Sequence, residues 1–204
     1  AKAPVKILYV CSPSNPTGGA VSNADLERLL RGVAGRALVV VDEAYGEYNE
    51  VPGALALRER FPNLAVLRTL SKAYALAGAR LGITIGDPAL IRVLAAIAAP
   101  YPLASPAVAL ALDAVSPDAA VEAKRRAGRI VAERGRVAEA LRGLDGVRAV
   151  YASDANYLLV RFVDAEAAMQ ARSVARNESK NVLRRLPVGV REATGLTGEA
   201  DHPY

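Results

Sequence analysis

Cysteine occurs once in the 204 residues, at Cys11, tryptophan does not occur, and aromatic residues make up only 5%. A single thiol excludes an internal disulfide, which fits a reducing compartment such as the cytoplasm. The small aromatic share leaves few platforms for stacking bases. The 26 basic residues are spread along the chain with 21 acidic ones between them, so a net charge of +5 does not form the footprint of a nucleic-acid partner. No apolar run reaches the roughly 20 residues that a membrane span needs, and internal repeats and low-complexity blocks are missing as well. The chain opens Ala1-Lys2-Ala3-Pro4, with neither an initiator methionine nor the pattern of a signal peptide, and the expectation is a start inside a longer protein.

What is present is an ordinary globular composition, 52% hydrophobic and 23% charged, with length for one large domain or one plus a smaller unit. Lys6–Cys11, Ala37–Val41 and Leu64–Leu67 are short apolar runs without alternation, as in strands buried on both faces. Between the first two, Ser22 is placed to cap a helix whose Leu26, Leu29, Leu30 and Val33 recur at helical spacing. This order is a βαβ unit. It predicts an α/β fold with a mostly parallel sheet covered by helices, Leu81–Ile85 adding a further strand. Helical patterns follow over 88–98 and 106–115, separated by a turn at Pro100-Tyr101-Pro102. A long amphipathic helix is expected over 118–144, its apolar side including Ala127, Ile130, Val131 and Ala138. Two β-like runs, Val147–Tyr151 and Tyr157–Phe162, and a helix over 165–175 predict a small C-terminal α+β domain. The expected boundaries are 1–117, 118–144 and 145–191, with a disordered tail over 192–204.

In doubly wound sheets ligands sit beyond the carboxyl ends of the strands. Three such ends stand out: Ser12-Pro13-Ser14-Asn15-Pro16-Thr17-Gly18-Gly19, then Asp42-Glu43-Ala44-Tyr45, then Thr69-Leu70-Ser71-Lys72 with Arg80 opening the next strand. Alone, each has a plainer reading: a surface lysine, a helix-capping aspartate, a proline-glycine turn, and for Tyr9 and Tyr48 simple packing. Together, an amine, a carboxylate, two hydroxyls and a guanidinium suit pyridoxal 5′-phosphate. Its aldehyde requires a lysine, its ring nitrogen a carboxylate, and its phosphate hydroxyls and a bidentate arginine. No metal is called for.

The ordered set SPSNPTGG, DEAY and RTLSKAYALAGARLG resembles the fold-type I aminotransferases, most of all those of the histidinol-phosphate type. The likeness runs on through Ala99–Ser105 and Ala155–Phe162. The resemblance implies that Lys72 forms the Schiff base and moves the proton between the substrate Cα and the cofactor C4′. It also implies that Asp42 pairs with the ring nitrogen and that Asn15 and Tyr45 hydrogen-bond the ring oxygen. Ser71, Thr69 and Arg80 would hold the phosphate, with the principal hydroxyl contact open and Ser71 preferred as the lysine's neighbour. The segment around Arg176 resembles one that carries a substrate-phosphate arginine. Arg184 or Arg185 is the candidate for the substrate carboxylate, and Arg191 a third choice.

The activity so implied is transfer of an amino group between L-histidinol phosphate and 2-oxoglutarate, giving imidazole-acetol phosphate and L-glutamate, by a cytoplasmic homodimer acting in histidine biosynthesis. Other enzymes of the fold, an aromatic amino-acid aminotransferase or a phosphothreonine decarboxylase, share the cofactor residues and stay open as alternatives. The family's N-terminal half, with a glycine-containing helix start for the phosphate and an aromatic residue stacked on the ring, has no counterpart in these residues. The stretch after about Gly189 also departs from the family pattern. The expectation is therefore a C-terminal fragment, with a catalytically silent chain as the competing reading.

Overall fold

The computed structural model describes residues 4–50 and 52–169. Its main sheet has four strands, β1 (Ile7–Cys11), β2 (Leu38–Asp42), β3 (Leu64–Thr69) and β4 (Gly82–Gly86), in the order β1-β2-β3-β4. β1 and β2 run parallel with Ile7 beside Leu38 and Cys11 beside Asp42, and β2 and β3 run parallel with Val39 beside Leu64. β4 turns back antiparallel, pairing Gly82 with Thr69 and Gly86 with Ala65. The α/β sheet is thus mostly parallel, as the runs predict, but its fourth strand is reversed. Only a single 3-10 turn, Ala77–Ala79, lies between β3 and β4. With no crossover helix to carry the chain back across the sheet, antiparallel return is the accessible pairing.

One face of this sheet is closed by α1 (Asn23–Val33) and the 3-10 helix Ala54–Arg60. Leu26 and Leu30 from α1 meet Val39, Val41, Leu64 and Val66 from β2 and β3, with Leu57 and Phe61 beneath. Period-two alternation then sends Val40 and Asp42 to the opposite face. β1 differs from the expectation of a strand buried on both faces. Leu8 and Val10 pack on the core, whereas Ile7 and Tyr9 are 61% and 60% exposed, because β1 is the edge of this sheet and only one of its faces meets α1.

The start of α1 is set by Ser22, whose hydroxyl accepts from the Asp25 backbone N–H at 3.1 Å. Ser22→Ala leaves that donor without its cap and should lower stability by about 1 kcal/mol, read as a shift in urea midpoint at unchanged slope.

Beyond the sheet lie α2 (Pro88–Ile97), α3 (Ser105–Ala114) and α4 (Pro117–Arg142), each within two residues of its expected end points. Asp87 caps α2 by accepting from Ala89 N–H at 2.8 Å. In the turn between α2 and α3, Tyr101 is 97% exposed. Ala127 and Ala138 of α4 are buried as its pattern requires, but Ile130, assigned to the same apolar side, is exposed. A second cluster forms where Ala127 meets Tyr45, Tyr48, Ala73 and Ala155. Among the described residues no helix is long and apolar enough to cross a membrane.

Two compact units result. Among the described residues, one comprises those up to Ala138 together with Tyr151–Leu159, and the other comprises Glu139–Val150 and 160–169. The division falls inside α4, after Ala138, and 151–159 packs with the larger unit. In the smaller unit β5 (Val147–Val150) and β6 (Val160–Phe162) pair antiparallel, and residues 165–169 are helical. Gly146, at φ +83°, is required there, since a Cβ would lie 2.6 Å from that of Ala167. The rest of the helix expected over 165–175 and the tail expected over 192–204 lie outside the described residues.

Candidate active site

The strand order places the ends of β2 and β3 side by side, and the side chains beyond them line one open cleft of about 610 Å³. Asp42, Thr69, Ser71, Lys72 and Arg80 all contribute to its wall. Sequence separation of up to 38 residues between Asp42 and Arg80 is closed by the β2–β3 pairing and by the return into β4.

Asp42 is the last residue of β2. Its Oδ1 accepts from the Ala44 backbone N–H at 2.9 Å, and its Oδ2 accepts from the phenol of Tyr9. Thr69 ends β3, where its hydroxyl donates to the Leu81 carbonyl at 3.1 Å, lies 3.0 Å from the Ser71 hydroxyl and accepts from Ser71 N–H at 3.1 Å. That turn fixes both hydroxyls on the approach to Lys72. Lys72 is exposed, with Nζ 5.3 Å from the centroid of the Tyr45 ring. Arg80 follows the 3-10 turn in a left-handed conformation, φ +53° and ψ +43°, uncommon for a residue with a side chain, and its guanidinium donates to the Ala77 carbonyl at 3.2 Å.

Asn15 and Tyr45 join this group from one side: the Asn15 amide donates to the Tyr45 hydroxyl at 3.0 Å. The turn that carries Asn15 is gripped by a distant segment. Gly18 adopts φ +82° and passes so close to Ser153 that a Cβ would lie 2.4 Å from its hydroxyl. Asp154 N–H donates to the Gly18 carbonyl at 2.7 Å, and the Asp154 carboxylate accepts from Ala20 N–H at 3.0 Å. Tyr157 donates to the Ser14 carbonyl at 2.7 Å and stands edge-on against Tyr45 with ring centroids 5.2 Å apart. The hydrogen bonds among these contacts span more than 130 positions of sequence, and no local pattern announces them.

Two tyrosines of this region hold their protons strongly. Tyr9 is pushed up to about 12, first by its hydrogen bond to Asp42, and Tyr157 to about 12, first by burial. A folded value above the unfolded one of about 10 means that the native chain binds more protons between these two pH values. The stabilisation is therefore complete below about pH 10 and is lost as pH rises through about 12. Tyr157→Phe should remove part of that alkaline decline and, through the lost Ser14 hydrogen bond, cost about 1 kcal/mol at neutral pH. Urea denaturation at pH 8 and pH 11 measures both.

Of the residues singled out in the sequence, Asp42, Thr69, Ser71, Lys72 and Arg80 line one cleft, Tyr45 lies against Lys72, and Asn15 is bonded to Tyr45. Arg176, Arg184, Arg185 and Arg191 lie outside the described residues. Tyr48 is buried, in keeping with a packing role, but Tyr9 is not a packing residue: it is exposed and bonded to Asp42. Its place two residues before Cys11 puts it on the Asp42 face only through the β1–β2 register, which is not readable along the chain. A carboxylate, an amine, two hydroxyls and a guanidinium around one opening can hold an anionic ligand while presenting an amine to its carbonyl group.

The sequence profile of the family described as aminotransferase class I and II matches residues 1–196. The chain is 54% identical over 166 residues to the histidinol-phosphate aminotransferase of Xanthomonas oryzae pv. oryzae (strain MAFF 311018), covering 81% of this chain and 46% of that protein. It is 52% identical to the enzyme of the same name from Xylella fastidiosa (strain 9a5c), with the same coverage. Among solved structures, the histidinol-phosphate aminotransferase of Sinorhizobium meliloti in complex with pyridoxal 5′-phosphate superposes with a TM-score of 0.67 at 27% identity, over 80% of this chain and 44% of that one. The chain spans about half the length of the curated relatives it matches.

Proposed function

Because the chain belongs to the aminotransferase class I and II family, we propose that its cleft binds pyridoxal 5′-phosphate and serves a transamination of the histidinol-phosphate type. The substrates would be L-histidinol phosphate and 2-oxoglutarate, and the products imidazole-acetol phosphate and L-glutamate. The observation that carries the proposal is the convergence of Asp42, Lys72, Arg80 and the Thr69–Ser71 hydroxyls on one opening, in a chain 54% identical to an enzyme of that name. The donor set fits the cofactor in kind and number: one carboxylate for the ring nitrogen, one amine for the aldehyde, and hydroxyls with a guanidinium for the phosphate. As the resemblance implies, the full-length enzyme would be a cytoplasmic homodimer.

When bound, the cofactor supplies an aldehyde that takes up an amine and a protonated ring that accepts the electron pair released at the substrate Cα. Lys72 would have two tasks: its Nζ would be the amine that meets the aldehyde, and the same amine would serve as the base that moves the proton at the substrate Cα. Asp42, whose carboxylate accepts from Ala44 N–H, would pair with the ring nitrogen. Asn15 and Tyr45, bonded to each other, would hydrogen-bond the ring oxygen. Ser71, Thr69 and Arg80 would hold the phosphate. Arg176 is proposed for the substrate phosphate and Arg184 or Arg185 for its carboxylate.

The experiment is an absorption titration of the purified 204-residue chain with pyridoxal 5′-phosphate, followed by borohydride reduction and peptide mass spectrometry. The expected result is one reduced adduct, on Lys72. A chain that binds no cofactor selectively overturns the proposal for this polypeptide. If it binds, glutamate offered with a panel of acceptors reads substrate class, and a preference for another 2-oxo acid over imidazole-acetol phosphate overturns the histidinol-phosphate assignment.

A further inference from the structure

The phenol of Tyr9 has no packing reason to lie where it does. Tyr9 is 60% exposed on the edge strand β1, contributes to neither apolar cluster, and sits on the sheet face opposite the α1 core. Register explains its reach. Tyr9 is beside Val40 and Cys11 is beside Asp42, so Tyr9 and Asp42 project from the same face, one strand and two residues apart. Across that step the phenol donates to Asp42 Oδ2, while Oδ1 is held by Ala44 N–H at 2.9 Å. A carboxylate so held at both oxygens has one orientation, and each oxygen keeps a further lone pair for an incoming donor.

We propose that Tyr9 is a positioning residue for Asp42, holding its carboxylate in the orientation that receives the ring nitrogen of the cofactor; this rests on the cofactor reading given above. Phenylalanine at the same place would cover the same strand face and supply no donor. The difference between the two side chains is therefore confined to the bond with Asp42. The high proton affinity of the Tyr9 phenol, raised first by that same bond, agrees with the pairing.

The test separates the pairing from its use. In the chain labelled with 13C at tyrosine Cζ, the signal lost in Tyr9→Phe belongs to Tyr9. It should titrate near pH 12 in the parent chain and fall back toward about 10 in Asp42→Asn. Binding is then measured with pyridoxal 5′-phosphate and with its 1-deaza analogue, which lacks the ring nitrogen. Tyr9→Phe should weaken pyridoxal 5′-phosphate roughly three- to tenfold, less than a buried charged hydrogen bond because Tyr9 is exposed, and leave the deaza analogue within about a factor of two. Equal loss for both compounds, or loss for neither, overturns the positioning role while the cofactor reading stands. If the parent chain captures no cofactor at Lys72, the cofactor reading fails and the proposal fails with it, whatever the tyrosine titration shows.

Discussion

Lys72→Ala is expected to lower the borohydride-fixed pyridoxal 5′-phosphate on the whole chain more than about tenfold, to the scattered background of exposed lysines such as Lys6 and Lys124. The reason is proximity. An aldehyde free in solution meets every surface amine, whereas one held at the cleft that Ser71, Thr69 and Arg80 line, as proposed, would be presented to a single amine at high effective concentration. Lys72→Arg is the informative companion: it keeps a cation above the Tyr45 ring but cannot condense with the aldehyde, so it should lose the adduct as completely as alanine. Tryptic mapping after reduction reads the outcome. Label spread evenly over Lys6, Lys72 and Lys124 in the parent chain would show that the cleft does not hold the ligand.

Glu43→Ala is expected to destabilise the fold by about 3 kcal/mol. Glu43 follows Asp42 directly, yet alternation turns it away from the cleft, and it is 3% exposed. Its carboxylate accepts from the Ala54 N–H and meets the Arg68 guanidinium at 2.8 Å, and Gly53 passes so close that a Cβ there would lie 2.6 Å from Oε1. Arg68 also contacts Glu47 at 3.0 Å. Removing one partner of a buried pair leaves the other charge poorly compensated, an effect of about 3–5 kcal/mol. The lower end applies because Arg68 is partly exposed and keeps Glu47. Glu43→Gln keeps an acceptor for Ala54 N–H and should fall between parent and alanine. Urea midpoints at constant slope measure the series, and a loss under about 1 kcal/mol would mean that Glu47 alone satisfies Arg68. Since Arg68 also lines the cleft, Glu43→Ala should weaken cofactor binding even where the chain stays folded.

These two residues show what a sequence makes legible and where it stops. The place of Lys72 at the cleft was legible because its neighbours are local: a lysine, two hydroxyls and an arginine within twelve positions of one strand end. The place of Asp42 there was legible because a carboxylate closing an apolar run falls at a strand end. Glu43, its neighbour, looks equally available in sequence and is instead a buried anchor, since one step along a strand reverses the face. Tyr9 was misread as packing because an aromatic residue within an apolar run ordinarily packs, and only the β1–β2 register brings its hydroxyl to Asp42.

The sequence by itself determined the βαβ opening, the cap at Ser22, the near-correct spans of α2 to α4 and the strand ends whose Asp42, Thr69, Ser71 and Lys72 line one cleft. Propensity, capping and hydrophobic period act over a few residues and are written along the chain. The tertiary structure alone decided that β4 runs antiparallel, that β1 keeps one face open, and that Ser153, Asp154 and Tyr157 return to grip the turn bearing Asn15. Those outcomes depend on register and on contacts across more than 130 positions. Such contacts form when distant groups are buried and hydrogen-bonded together, so no single segment encodes them.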